Sequence, residues 1–376
     1  MTIISAYNAC CNLGLNIDEI YNNAINFSGL NSDCFFEYRK DIIKGKTLRL
    51  GVIKNSFDEI KIEDEDFNLR CNKIILHTIK PLEEKIRSYN KNDVAIICAT
   101  TNSGAEEFSH SKKIIHQELS NPALFLKKYF DLNNVFLSIS TACSSGAKAF
   151  STARDILNNN IAKIAIVVGI DSIATLPLFG FSSLEILSSS QSNPFSINST
   201  GINIAEAAGI FIVEKEGNGI EIAGIGETSD YYHNTSPNPK AHQEIKAIKL
   251  ALNEANLKPD EIDYINLHGT GTKANDTMEA RAIYEIFKDK VPVSSTKPLT
   301  GHCLGAAPSI EAALCCHLLN KFEGKYFKHI YDGLYQSEED RIKLVQDETY
   351  QKCDTILSNS FGFSGSSASI IFKRVK

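Results

Sequence analysis

Four short segments of the sequence carry side chains suited to nucleophilic, proton-transfer or oxyanion chemistry. Cys143 lies in the run Ser140-Thr141-Ala142-Cys143-Ser144-Ser145-Gly146. The thiolate is the reactive form of cysteine, and a helix N-terminus favours it through the dipole and free N–H groups. Taken alone, the segment suits a nucleophile and a small cysteine packed at a turn equally. His268 opens His268-Gly269-Thr270-Gly271-Thr272, where glycines let a ligand approach the backbone and the threonines offer hydroxyls. A glycine-rich turn with a capping histidine has the same appearance, and neither phosphate-loop pattern is satisfied. Lys297, His302 and Glu311 follow, the histidine five positions after the lysine and the glutamate nine after the histidine. Lysine and glutamate are able to pair and hold the ring, although each alone suits a solvated surface. The fourth segment, Asn359-Ser360-Phe361-Gly362-Phe363-Ser364-Gly365, is a glycine-spaced loop able to present a backbone N–H or to connect a hairpin.

The elements that must position these groups alternate in the manner of an α/β protein. Val135–Ser140 reads as a buried strand, residues 144–158 as a helix with Ala147, Ala149 and Ala153 on its surface, and residues 163–169 as a further strand. This places Cys143 at a strand-to-helix turn. A second such unit runs from the strand 264–267 through the His268 loop into a helix from Asp276, read as its N-cap, to Phe287. A strand end at 291–294 then leads to a helix from about 304 to 319, and two β runs, 354–358 and 368–373, flank the last loop. The repeated element order suggests two related halves, 1–215 carrying the cysteine and 216–376 carrying the histidines.

Composition limits the alternatives. The 376 residues have a formal net charge of −6, which argues against a general nucleic-acid binder. None of the ten cysteines forms a C-x-x-C pair, so no zinc or thioredoxin-like motif is read, and no metal is expected. The apolar stretch 161–170 contains Lys163 and is too short for a membrane span, and the N-terminus lacks a signal-peptide pattern. A cytoplasmic protein with free, mostly buried cysteines is expected.

In combination and order, the four segments resemble the β-ketoacyl-acyl-carrier-protein synthases of the elongating type. The resemblance implies a thiolase-like fold, duplicated α/β halves in five layers (αβαβα), usually as a homodimer. It implies Cys143 as acyl-carrying nucleophile, His268 and His302 as the histidine pair, and Lys297 with Glu311 as the supporting ion pair. Thr270 and Thr272 match the pantetheine-contacting threonines. Phe363 matches the gating phenylalanine, whose N–H joins that of Cys143 in an oxyanion hole. The segment departs from the family at Pro308, where glycine is usual.

The implied reaction is decarboxylative Claisen condensation of malonyl-carrier with the acyl group on Cys143, in fatty-acid or specialised polyketide or polyene synthesis. No cofactor is implied, since phosphopantetheine arrives on the acyl carrier protein. Arg70 and Lys73, ahead of a helical pattern, are candidate carrier contacts. Three rivals stand beside this reading. A chain-length-factor-like subunit of a ketosynthase heterodimer usually lacks the cysteine. A degradative thiolase needs a second cysteine where Gly362–Gly365 offers none. A cysteine hydrolase leaves the second histidine and the lysine unexplained.

Overall fold

The computed structural model describes residues 1–375. Ten strands form its framework: β1 (Ile3–Cys11), β2 (Val94–Ala99), β3 (Phe136–Ile139), β4 (Ile164–Asp171), β5 (Ala207–Glu214), β6 (Ile220–Ser229), β7 (Tyr264–Asn266), β8 (Pro292–Ser294), β9 (Thr355–Phe361) and β10 (Ser366–Arg374). The first five lie in the order β1-β5-β4-β2-β3 and the second five in the order β6-β10-β9-β7-β8, so each set repeats the other's topology. The signs of pairing repeat as well. β2 is parallel to β3 and β4, β7 is parallel to β8 and β9, and the remaining pairs are antiparallel. The sets meet through two residues of β1, Ile3 opposite Glu221 and Ile4 opposite Ile220. A two-residue strand, Lys343–Leu344, extends the sheet beside β8.

Seven helices build the layers and the site: α1 (Arg70–Ile79), α2 (Asn121–Phe130), α3 (Ser145–Asn158), α4 (Thr175–Ser183), α5 (His242–Ala255), α6 (Lys273–Phe287) and α7 (Ala307–Lys321). Successive residues of a strand face opposite sides. In β4, Ile164, Ile166 and Val168 pack with α1 and α2, while Ala165 and Val167 face α3 and α7. On the far side Ile265, Leu357 and Ile371 pack with α5 and α6. Helices α3 and α7 therefore form a middle layer between the two sets of strands, giving the five-layered αβαβα arrangement. Ala147, Ala149 and Ala153, expected on the surface of α3, are buried in that layer, and their small size lets α3 approach the strands.

The seat of α7 is equally tight. A Cβ on Gly169 would lie 2.1 Å from Ser309 Oγ, and one on Gly209 would lie 2.8 Å from Ser309 Cβ. Glycines in β4 and β5 thus admit α7 against the strands. Pro308 falls in the first turn of α7, where a missing N–H costs the helix nothing. Replacing Gly169 with alanine should destabilise the fold by about 1–3 kcal/mol through overpacking. Gly180→Ala, with nothing within 4 Å of the new Cβ, should stay within about 1 kcal/mol of the parent. Denaturant unfolding of both variants checks this, and equal stabilities would contradict the account of the α7 seat.

Candidate active site

Cys143 stands in the turn between β3 and α3. Ala142 before it adopts φ +53°, a left-handed conformation that disfavours residues with a Cβ. The turn is held by the Ser145 hydroxyl, which accepts from Thr141 N at 2.8 Å and donates to the Ala142 carbonyl at 2.6 Å. Ser144 Oγ reaches across to Ser366 Oγ at 2.9 Å, fastening the turn to the start of β10.

His302 comes from the other half. Its N–H donates to Asn203 O at 2.7 Å and its carbonyl accepts from Ala205 N at 3.0 Å. Gly301 ahead of it needs φ +70°, and a Cβ there would meet that of Ala205 at 2.6 Å. Backbone pairing on both sides thus aims the ring, and Nε2 lies 3.0 Å from Cys143 Sγ. Asp171, at the end of β4, accepts from the N–H groups of Thr101 at 2.8 Å and Gly305 at 2.7 Å. It joins the loop after β2 to the segment after His302.

His268 ends β7. Its N–H and that of Gly269 each donate to the Glu279 carboxylate at 2.7 Å. The ring stands nearly perpendicular to that of His302, with centroids 5.6 Å apart. Lys297 Nζ donates to the His268 carbonyl at 2.5 Å, lies 3.5 Å from His268 Nδ1 and pairs with Glu311 from α7. Both charged side chains are buried, at 1% and 2% exposure, and removing one partner of such a pair typically costs about 3–5 kcal/mol.

The loop 362–365 closes the site. A Cβ on Gly362 would come within 3.2 Å of the amide nitrogens of Cys143 and Ser144, so the loop lies directly on the cysteine turn. The Phe363 amide faces the sulfur. Thr270 and Thr272 bring their hydroxyl oxygens to 2.9 Å of each other and line a cavity of about 190 Å³ with Cys143, both histidines and Phe363. A second, mainly apolar cavity of about 520 Å³ meets the first at Cys143 and is lined by Thr101, Leu119, Leu176 and Phe181. The Phe363 and Phe181 rings, 5.8 Å apart, border both.

Burial sets the electrostatics. Burial first, then Lys297, pushes His302 and His268 well below the ordinary imidazole range, and His302 also opposes a charge on His268. Both effects favour the neutral ring at each histidine. The Cys143 thiol is pushed up to about 11 by burial, against the opposing pull of Lys297 and the Phe363 amide. Burial thus works against the thiolate that the helix N-terminus favours. Burial also raises the Glu279 carboxyl to about 8 despite its two N–H donors.

Other expectations change. Asp276 is not the cap of α6, which begins at Lys273. It accepts instead from Phe195 N at 2.9 Å and Gly271 N at 3.3 Å, bracing the glycine-rich loop. Arg70 is not free for a carrier. Its guanidinium is bound by Glu206 and by the carbonyls of Ile53 and Asn55. Lys73 is partly exposed on α1. Glu279 and Asp171 went unread in the sequence. Glu279 follows His268 by eleven residues and Asp171 ends an apolar strand, so only tertiary contact reveals either. Cys143, His268 and His302 bring one donor atom each within 4.8 Å of one another, a spacing a zinc ion could bridge. The buried ammonium beside His268 opposes a second cation there.

Comparison with known proteins gives the family of the chain. Residues 117–218 match the model described as "Beta-ketoacyl synthase, N-terminal domain", and residues 220–323 match "Beta-ketoacyl synthase, C-terminal domain". The 3-oxoacyl-[acyl-carrier-protein] synthase 2 of Coxiella burnetii is 34% identical over 265 residues, covering 65% of this chain and 63% of that protein's length. A putative mitochondrial 3-oxoacyl-[acyl-carrier-protein] synthase of Schizosaccharomyces pombe is 32% identical, covering 70% of this chain and 67% of the relative. The solved complex of the ketosynthase ApeO with its chain length factor ApeC, from Xenorhabdus doucetiae, contains a chain that superposes with a TM-score of 0.90 at 32% identity, covering 100% of this chain and 98% of that one. With its thiolase-like fold and with both halves of the site in place, the chain belongs to the β-ketoacyl synthase family.

Proposed function

We propose that the protein is a β-ketoacyl-acyl-carrier-protein synthase, an acyltransferase that condenses malonyl-carrier with an acyl group held on Cys143. The observation that carries this reading is the convergence of a buried cysteine from residues 1–215 with two buried histidines from residues 216–376. In the first step Cys143 sulfur attacks the acyl thioester. Its proton passes through His302 Nε2, 3.0 Å away, to the departing pantetheine sulfur, so the ring begins and ends neutral. The N–H groups of Cys143 and Phe363 receive the tetrahedral oxyanion. Thr270 and Thr272 hold the pantetheine arm that the carrier brings, and the site needs no cofactor of its own.

In the second step malonyl-carrier enters. Once the sulfur is acylated, no S–H competes for His302, and its Nε2–H tautomer becomes a donor beside His268. Loss of carbon dioxide leaves the C–C bonding pair in a thioester enolate, whose oxygen the two N–H groups stabilise. The enolate carbon attacks the acyl-cysteine carbonyl, and collapse breaks the C–S bond. The expelled thiolate takes a proton from water, as its raised pKa favours. Lys297 and Glu311 support this by keeping a positive charge next to His268, which disfavours imidazolium.

A second subunit completes the proposal. Strand β3 lies at the end of the sheet and is only partly covered, with Leu137 37% exposed. Leu176 and Phe179 of α4 are 74% and 50% exposed, and Leu176 lines the apolar cavity. Open strand edges are normally covered, so a copy of this chain or a related subunit is expected on this face. The ApeO–ApeC complex favours a related subunit as the specific alternative, including a chain-length-factor-like role for this chain. The substrate belongs to fatty-acid or specialised polyketide or polyene synthesis. The protein is cytoplasmic in this reading; among the described residues no helix is long and apolar enough to cross a membrane.

Incubation with acyl- and malonyl-carrier should release carbon dioxide and a product two carbons longer. Cys143→Ala should abolish that product, and His268→Ala or His302→Ala should lower the rate by about 10²–10³-fold. Release of free acid instead would favour hydrolysis, and activity appearing only with a related subunit would favour the heterodimer. Cys143 alkylation offers an independent check, read by peptide mapping because Cys34 is exposed. With the thiol pushed up to about 11, its rate should rise about tenfold per pH unit from 7 to 10. A plateau near pH 8 would contradict the neutral resting thiol.

A further inference from the structure

His329 belongs to none of the four segments and carries no recognisable motif. Its ring is buried at 1% exposure, and both nitrogens are engaged. Ser295 N–H donates to Nδ1 at 3.1 Å, and Nε2 lies 3.0 Å from the Pro194 carbonyl. A backbone N–H only donates and a carbonyl only accepts. The ring is therefore fixed as the neutral tautomer with its proton on Nε2, and it bridges two loops far apart in sequence.

Those loops are the walls of one slot. A Cβ built on Gly269 would lie 2.5 Å from Ser295 Cβ and 3.1 Å from Phe195 Cε2, so the residue after His268 is gripped between them. On one wall Ser295 Oγ donates to the Gly269 carbonyl at 2.8 Å and accepts from Lys297 N at 3.3 Å. On the other wall Phe195 N donates to Asp276, which in turn accepts from Gly271 N. The Phe195 ring also packs against the His329 ring, with centroids 5.7 Å apart. Cys143 and His302 share no hydrogen bond with this assembly.

We propose that His329 is a positioning residue for the malonyl half of the reaction, setting the loop of His268 and the backbone of Lys297 through Ser295, with no hydrogen bond to Cys143 or His302. The proposal rests on the assignment of His268 and Lys297 to decarboxylation. His329→Leu removes both hydrogen bonds. His329→Asn keeps an acceptor at the δ position for Ser295 and loses the reach to Pro194. Ser295→Ala removes the hydroxyl that contacts Gly269 and Lys297 and leaves the ring in place.

The test measures two half-reactions on the intact enzyme. One is single-turnover acylation of Cys143 by intact-protein mass, and the other is carbon dioxide release from malonyl-carrier by the acylated enzyme. In His329→Leu and in Ser295→Ala, carbon dioxide release should fall at least about tenfold while acylation stays within about threefold, and His329→Asn should recover most of the loss. If His329→Leu does not fold, Ser295→Ala and His329→Asn still decide the matter. A parallel fall of both half-reactions, or no change in either, would overturn the proposal. Failure of the parent enzyme to release carbon dioxide would instead sink the functional reading on which it rests.

Discussion

An ammonium ion cannot sit in a dry interior without compensation, and the placement of Lys297 is the constraint around which this site is organised. The charge is met by Glu311 and by the His268 carbonyl. Glu311 rides on α7, and α7 reaches its place only because Gly169 and Gly209 let it lie against β4 and β5. The ion pair thus couples a histidine loop of one half to the helix seated on the strands of the other. Desolvation makes such a pair a poor device for stability alone. Its effect on the neighbouring rings is chemical, since a fixed positive charge opposes imidazolium at both histidines.

The same dry setting decides the state of the nucleophile. A cysteine before a helix reads as an activated thiolate, yet here burial dominates and leaves a thiol hydrogen-bonded to a neutral imidazole. Such a site avoids separating charge until substrate arrives. It is suited to accept a proton during acylation and to donate N–H groups to an enolate afterwards.

Much of this was legible because each motif is local. The glycines beside His268 and His302 and the loop at Gly362 impose recognisable residue types at short range. The α/β pattern and the repeated order of elements also follow from local periodicity. What stayed hidden depends on contact between distant segments. Glu279 looks like any helix residue, Asp171 like the end of a strand, and His329 like a loop residue near the edge of the sheet. Arg70 shows the converse. Its position suggested a surface contact, and only the fold reveals Glu206 holding it. The depth of burial, which works against ionisation of Cys143, is likewise a property of the folded chain.

That burial, with the Lys297 charge beside it, keeps both rings neutral is open to direct observation. Nitrogen-15 NMR of histidine-labelled protein, with His268→Gln and His302→Gln used for assignment, reports the charge of each ring. Neutral signals for both at pH 6 to 8 are the predicted result. An imidazolium signal from either ring at pH 7 would contradict the account.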